Sequence, residues 1–483
     1  MGKTGITSYG GYIPRYRLQR EAVVKANGWF NPALKAYAKA ERAICNWDED
    51  SLTMGVEAAR NCLFNQERTD IQTVMLASTT LPFQDRNNAG VLANALMLGE
   101  EVATLDITSS QRAGTSGLIN AVSTAQGGNK ILLVASDHRP TRSATVQELL
   151  FGDGAAALTL GNDNLIAELL GSQSVTVDFV DHYRGENQAF DYNWEERWIR
   201  DEGYMKIVPK AVEAVLEKTG LTGGEITHFI LPCLIRNVAR NLAKKFSISE
   251  EAIADNLHSV CGETGAAHPL VMLVKALETA QPGDKLLVVG FGQGCDALVF
   301  EVTPAIESFR PHPGISPSLA RKAEETNYNK FLAFNNLVNS EKGMRAETDN
   351  QTALTTLYRK KDMLTGLIGG RCTQCDTKQF PKSNVCVNPE CNARHTQEDY
   401  PFADKRGKIL TWSADFLTYS IDPPTHYGMV EFEGGGRFLA NFADVDPGSV
   451  DTGMEMQMMF RIKEFDNQRG FRKYFWKAAP ATQ

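Results

Sequence analysis

Four cysteines in the stretch RCTQCDTKQFPKSNVCVNPEC could hold a metal. Cys372 and Cys375 are spaced C-x2-C, Cys386 and Cys391 are spaced C-x4-C, and ten residues separate the two pairs. Two such knuckles supply four thiolates in tetrahedral array, a closed structural zinc site without a position for substrate. A closed site of this kind holds a small fold together and does not activate water. Chance clustering of free thiols is the competing explanation, and it does not account for the paired spacing. His395 is nearby but surplus to four ligands.

A second stretch, LDITSSQRAGTSGL (105–118), runs from an apolar strand through a Gly/Ser/Ala turn into a helix. Such an elbow presents one side chain at the mouth of a buried site and aims the helix N-terminal N–H groups at it. Here the presented residue is Gln111. Enzymes that place a nucleophile on an elbow use Ser or Cys, because an amide nitrogen is not nucleophilic at neutral pH. The turn has the shape of an acyl-transfer site without the atom that would carry the acyl group.

The elements that must position these residues read as an α/β protein. A chain of 483 residues is too long for a single core. At 42% hydrophobic and 22% charged, the composition is that of a globular protein. A net charge of −8 disfavours nucleic acid or an anionic membrane as partner. No apolar run reaches the length of a membrane span and no signal-peptide core is present, so a cytoplasmic location is expected. Nine Cys without a secretion signal suit a reducing compartment. Residues 73–79 read as a strand buried on both faces, and Ser51 is placed to cap a helix that follows it. The segment STAQGGNKILLVAS (123–136) is echoed 155 positions on by ETAQPGDKLLVVGF (278–291). Small-residue turns precede both copies and small-residue strands follow both, which implies two similar halves packed as a pseudo-twofold pair. Beyond Gly407, short alternating strands broken by Gly and Pro suggest a small β-barrel.

The stretches SYGGYIPRYR (8–17), DEDSLTMGVEAA (48–59), QRAGT (111–115), LFGDGAAA (150–157) and GFGQGCDALVF (290–300) resemble the thiolase superfamily, most of all the archaeal-type hydroxymethylglutaryl-CoA synthases. The region from 366 on is similar to the zinc-ribbon and OB-fold partner domain of acyl-CoA enzymes in that superfamily. The resemblance implies a duplicated five-layer αβαβα fold followed by a zinc ribbon and an OB barrel. The boundaries expected are 1–168 and 169–305 for the two halves, 306–365 for a linker with a helical segment, 366–405 for the ribbon and 406–483 for the barrel. It also implies a coenzyme A thioester as substrate, and a homodimer or dimer of dimers.

The family's catalytic positions are all substituted here. The nucleophilic Cys falls on Gln111, the catalytic His on Pro232 or Cys233, the Asn of the second half on Glu263, and the general-base Glu near Thr79. A Claisen condensation through an acyl-enzyme is therefore not expected. What remains suits aldol or retro-aldol chemistry on a 3-hydroxyacyl-CoA, because a thioester enolate needs a base and donors for its oxyanion. Glu263 and His268 are the expected proton-transfer groups, Gln111 the orienting amide, and backbone N–H groups near Ala113 and Gly114 the oxyanion donors. Trp29, Lys210 and Arg236 are candidate coenzyme A contacts. Each of these also has an ordinary structural role open to it; Cys233 and Cys295 read as small buried hydrophobes, and His138 and Arg139 as a solvated loop. Two alternatives stay open: a non-catalytic acyl-CoA-binding subunit that holds a thiolase-type partner, and a divergent acyltransferase using Cys233.

Overall fold

In the computed structural model, which describes residues 2–481, the chain forms two compact units. The first runs to Asn335, except that Trp47–Glu49 and Val91–Met97 group with the second, which continues from Asn336. The first unit is built on nine strands: β1 (Gly5–Tyr12), β2 (Ile71–Ala77), β3 (Ala103–Ile107), β4 (Lys130–Asp137), β5 (Gly154–Gly161), β6 (Ala167–Thr176), β7 (His228–Ile230), β8 (Lys285–Phe291) and β9 (Gly294–Val302). They hydrogen-bond in the order β7-β8-β9-β6-β1-β5-β4-β2-β3. β1 pairs with β5 along most of its length but meets β6 only at Gly5–Glu168 and Ile6–Ala167. That short junction joins the sheets of the two halves into one ladder.

Four helices complete the layers: α1 (Ser51–Cys62), α2 (Ala113–Ala125), α3 (Met205–Thr219) and α4 (His268–Leu277). α1 packs on β1, β4 and β5, while α3 packs on β6 and β9. α2 and α4 lie together between the halves. The result is the five-layer αβαβα arrangement. Alternation along β8 shows why the strands are apolar throughout: Leu286 and Val288 join the central core, while Leu287 and Val289 join the core under α3. The sequence repeat is visible as geometry. α2 begins at 113 and α4 at 268, β4 at 130 and β8 at 285, each pair separated by the same 155 positions.

Three details differ from expectation. α1 is capped by Asp50, not Ser51: the Asp50 carboxylate accepts from the Thr53 N–H at 2.9 Å, and the Thr53 hydroxyl reaches back to Asp50 N–H at 2.8 Å. The segment expected as a linker from 306 belongs to the first unit as far as Asn335, because Ile306 and Ile315 are core residues and Ala323–Glu325 pairs in parallel with Tyr16–Leu18. The expected division at 168/169 falls inside β6, which is continuous across it.

In the second unit, Ile368–Cys372 is the middle strand of a three-stranded sheet flanked by Lys378–Gln379 and Gln397–Pro401. Five further strands follow in the order Arg437–Asn441, Thr425–Phe432, Gly407–Asp415, Glu455–Asp466, Phe471–Pro480. A bridge between Phe442 and Ala478 brings the two ends of that sheet together, as an OB barrel requires. Among the described residues, no helix is long and apolar enough to cross a membrane.

Candidate active site

The elbow is fixed from the second half. β3 ends at Ile107, Ser109 takes a left-handed φ of +71°, and α2 starts at Ala113. The Arg112 guanidinium donates to the fully buried Asp296 carboxylate at 2.8 Å and to the Gly292 carbonyl at 3.0 Å. Ser116 donates to the same carboxylate at 2.6 Å and Ser174 at 2.7 Å. The two helix starts meet so closely that a Cβ on Gly114 would lie 2.2 Å from the Ala266 carbonyl oxygen. The Ala113 N–H, expected as an oxyanion donor, is bonded to the Ser110 carbonyl at 2.9 Å.

Gln111 faces a cavity of about 490 Å³ whose polar wall includes Arg139, His182 and Glu263 and whose apolar wall includes Phe151, Trp194 and Phe291. A second cavity, of about 300 Å³, shares Gln111, Asp181 and His182 with the first and adds Thr79, Arg184 and Asp191. Thr79, where the resemblance places a general-base Glu, is bound through its N–H (2.7 Å) and hydroxyl (3.0 Å) to buried Asp137.

Glu263 reaches the cavity because the LFGDG and CGETG turns run side by side. Its N–H donates to the Leu150 carbonyl and its carbonyl accepts from Gly152 N–H, both at 2.8 Å. Its carboxylate does not stand free as a base: it is ion-paired to Arg139. Arg139, read from sequence as part of a solvated loop, is instead buried, with its guanidinium 3.5 Å from the centre of the Phe151 ring. Its other nitrogen pairs with Asp191 at 3.0 Å, and Asp191 also pairs with Arg184 at 2.8 Å. Burial alone would lift the Asp191 carboxyl, but pairing with the Arg139 and Arg184 guanidinium groups outweighs it and holds its pKa below the ordinary value.

The other expected residues divide. His268 is not in the site. It is fully buried, its Nδ1 accepts from the Thr264 N–H at 3.0 Å and its Nε2 donates to the Asn256 carbonyl at 2.8 Å. Burial pushes its pKa down, so it is a neutral structural imidazole at the start of α4. Cys233 lines the cavity, but burial pushes its thiol up to about 12, which leaves almost no thiolate. Arg236 lies exposed on the cavity wall. Trp29 is 83% exposed, and neither it nor Lys210, exposed on α3, lines the cavity.

Sequence reasoning passed over the pair Asp181–His182. His182 Nδ1 lies 3.0 Å from the Asp181 carboxylate, and its Nε2 lies 3.2 Å from the Gln111 amide nitrogen. The available signal was compositional: DHYRGENQAFD (181–191) concentrates ionisable groups in a segment without strand or helix periodicity.

In the ribbon, the sulfur atoms of Cys372, Cys375, Cys386 and Cys391 all lie within 4.8 Å of one another. Cys375 and Cys386 Sγ are 3.5 Å apart, Cys372 and Cys391 Sγ 3.9 Å. This donor set could hold zinc, since four sulfurs at Zn–S distances of about 2.3 Å sit some 3.5–4 Å apart.

Fold and site together define a thiolase-like scaffold with a carboxamide, Gln111, at its strand-to-helix elbow. Comparison with known proteins agrees. Residues 216–301 match the C-terminal part of 3-oxoacyl-[acyl-carrier-protein] synthase III, and residues 400–461 match the C-terminal OB-fold domain of ChsH2. The hydroxymethylglutaryl-CoA synthase of Aeropyrum pernix is 31% identical over 324 residues, covering 64% of this chain and 90% of that one. That of Methanosphaera stadtmanae is 27% identical over 339 residues, covering 68% and 98%. A crystal structure of HMG-CoA synthase complexed with CoA superposes with a TM-score of 0.62 at 17% identity, over 72% of this chain and 94% of that one. The 3-oxoacyl-[acyl-carrier-protein] synthase III of Aquifex aeolicus gives 0.54 at 21% identity, over 62% and 99%. The chain belongs to the hydroxymethylglutaryl-CoA synthase family, with an OB-fold domain at its C-terminal end.

Proposed function

We propose that this protein is an acyl-CoA enzyme that makes or breaks a carbon–carbon bond, of the aldol or retro-aldol type on a 3-hydroxyacyl-CoA, without a covalent acyl-enzyme. The observation that carries the reading is Gln111, a carboxamide on an intact elbow, opening onto a cavity lined, among the described residues, by a single thiol, Cys233, which burial holds protonated. Relatives named for hydroxymethylglutaryl-CoA synthase, and a related structure bound to CoA, support the thioester as substrate class. In this reading Gln111 orients the substrate, Glu263 fixes the Arg139 guanidinium in the wall, and Arg236 contacts coenzyme A at the rim. The four ribbon cysteines hold a structural zinc ion. The edge strand β3, where Leu105 is 45% exposed, pairs two copies into a homodimer. Leu105→Lys is accordingly expected to convert a dimer to a monomer in size-exclusion chromatography with light scattering.

The test is to incubate the protein with 3-hydroxyacyl-CoAs and follow release of ketone or aldehyde, while intact-mass spectrometry looks for adducts. Turnover with no protein-bound acyl group is expected. A stable acyl adduct formed during turnover, at Cys233 or elsewhere, would replace this reading with a divergent acyltransferase. Absence of turnover, together with co-purification of an active thiolase-type partner, would replace it with a non-catalytic acyl-CoA-binding subunit.

A further inference from the structure

The short hairpin of His182–Tyr183 with Tyr192–Asn193 carries a proton-transfer group onto the elbow. A carboxylate can only accept, so Asp181 places the His182 proton on Nδ1, and Nε2 is a lone pair that accepts from the Gln111 amide. Both cavities share this junction. The other end of the amide, Gln111 Oε1, is buried, and no group among the described residues donates to it. A hydroxyl that displaced the amide from Nε2 would meet a base on one side and an amide N–H donor on the other.

We propose that His182, oriented by Asp181, is the general base that removes the C3 hydroxyl proton of a 3-hydroxyacyl-CoA; this rests on the reading above. Nε2 takes the O–H proton, the oxygen lone pair forms the C3 carbonyl, and the C2–C3 bond breaks. Its electron pair passes into C2 and the thioester carbonyl as an enolate. The protonated His182 then returns the proton to C2, leaving a ketone or aldehyde and a shortened acyl-CoA. Protons and electrons balance without a co-reactant. The groups expected from sequence to move the proton are otherwise engaged: Glu263 is paired to Arg139, His268 is sealed in the core, and Cys233 keeps its proton. The charged and titratable groups that share the wall with His182 are Asp181, Tyr183, Arg184 and Asp191 on its own segment, Arg139 from the loop after β4, Glu263 from the turn before α4, and Tyr37, Glu196, Tyr204, Cys233 and Arg236.

The experiment measures ketone or aldehyde release against pH for the intact protein, His182→Gln and Asp181→Asn, together with deuterium exchange at C2 of the product acyl-CoA in D2O. A positioned general base contributes about 10²–10⁴-fold, so His182→Gln should lose at least about 100-fold in kcat, keep KM within about threefold, and lose both the acid limb of the pH profile and C2 exchange. Asp181→Asn, a positioning change, should lower kcat less and move the acid limb. Thermal melts within a few degrees of the parent separate loss of the base from loss of the fold. Undiminished kcat and an unchanged acid limb in His182→Gln would overturn this inference alone. Neither turnover nor exchange by the intact protein would overturn the proposed function and this inference together.

Discussion

Arg139 is where the charges buried under the elbow are balanced. Its guanidinium joins Glu263, from the second half, to Asp191, from the hairpin segment, and stacks on Phe151. Removing one member of a buried ion-pair network leaves uncompensated charge and costs about 3–5 kcal/mol. Arg139→Met leaves Glu263 without its partner and Asp191 with Arg184 alone, whereas Glu263→Gln leaves Arg139 paired to Asp191. Urea denaturation is therefore expected to show the larger loss for Arg139→Met, and equal losses would contradict the arrangement. A different residue contributes to acid sensitivity. His312 packs against Tyr9 and Phe309, with ring centroids 5.4 and 4.2 Å away, and burial lowers its pKa from 6.5 to about 4. Between those values the unfolded chain binds a proton that the folded chain refuses, so stability is full above about pH 6.5 and falls as pH drops toward 4. His312→Phe should flatten the plot of unfolding free energy against pH in that window, by no more than about 1.4 kcal/mol per pH unit for one proton. Partial exposure of the ring keeps the effect below that ceiling.

At the scale of elements, the site is made where two turns run so close that one of them cannot carry a side chain. A Cβ on Gly152 would lie 1.9 Å from the Cys261 carbonyl oxygen, and Gly262 beside it has φ +79°. The same pair of turns carries the backbone bonds that hold Glu263. Gly152→Ala is thus expected to cost at least about 1–3 kcal/mol and to reduce turnover by displacing Glu263. Gly283 is the control. It has φ +91° but nothing near its missing Cβ, so Gly283→Ala should cost only about 1 kcal/mol and leave turnover unchanged. Urea midpoints and activity on the two variants decide the point.

Across the whole molecule, the two units draw on different sources of order. The first buries α2 and α4 between two halves of sheet, whereas the ribbon strands are short and surround four sulfurs. With so small a core, a metal held by those sulfurs would supply folding free energy. One zinc per chain is expected by elemental analysis. Cys386→Ser or a strong chelator should remove it and open the 366–405 region to protease; a ribbon equally resistant without metal would contradict this.

What the sequence determined is whatever contiguous residues can encode: apolar strands flanked by small-residue turns, the repeat at 155 positions that becomes α2–β4 and α4–β8, the paired cysteine spacing, and the carboxamide on the elbow. Periodicity and steric permission act between near neighbours, so they can be read along the chain. Only the tertiary structure decided which polar side chains meet. Arg139 looks like a loop residue until Glu263 and Asp191 are folded onto it, and His268 looks available until α4 is buried. His182 has no local feature that points at Gln111, 71 positions earlier. Burial and opposite charge fix such partnerships, and both are properties of space that one-dimensional order does not record.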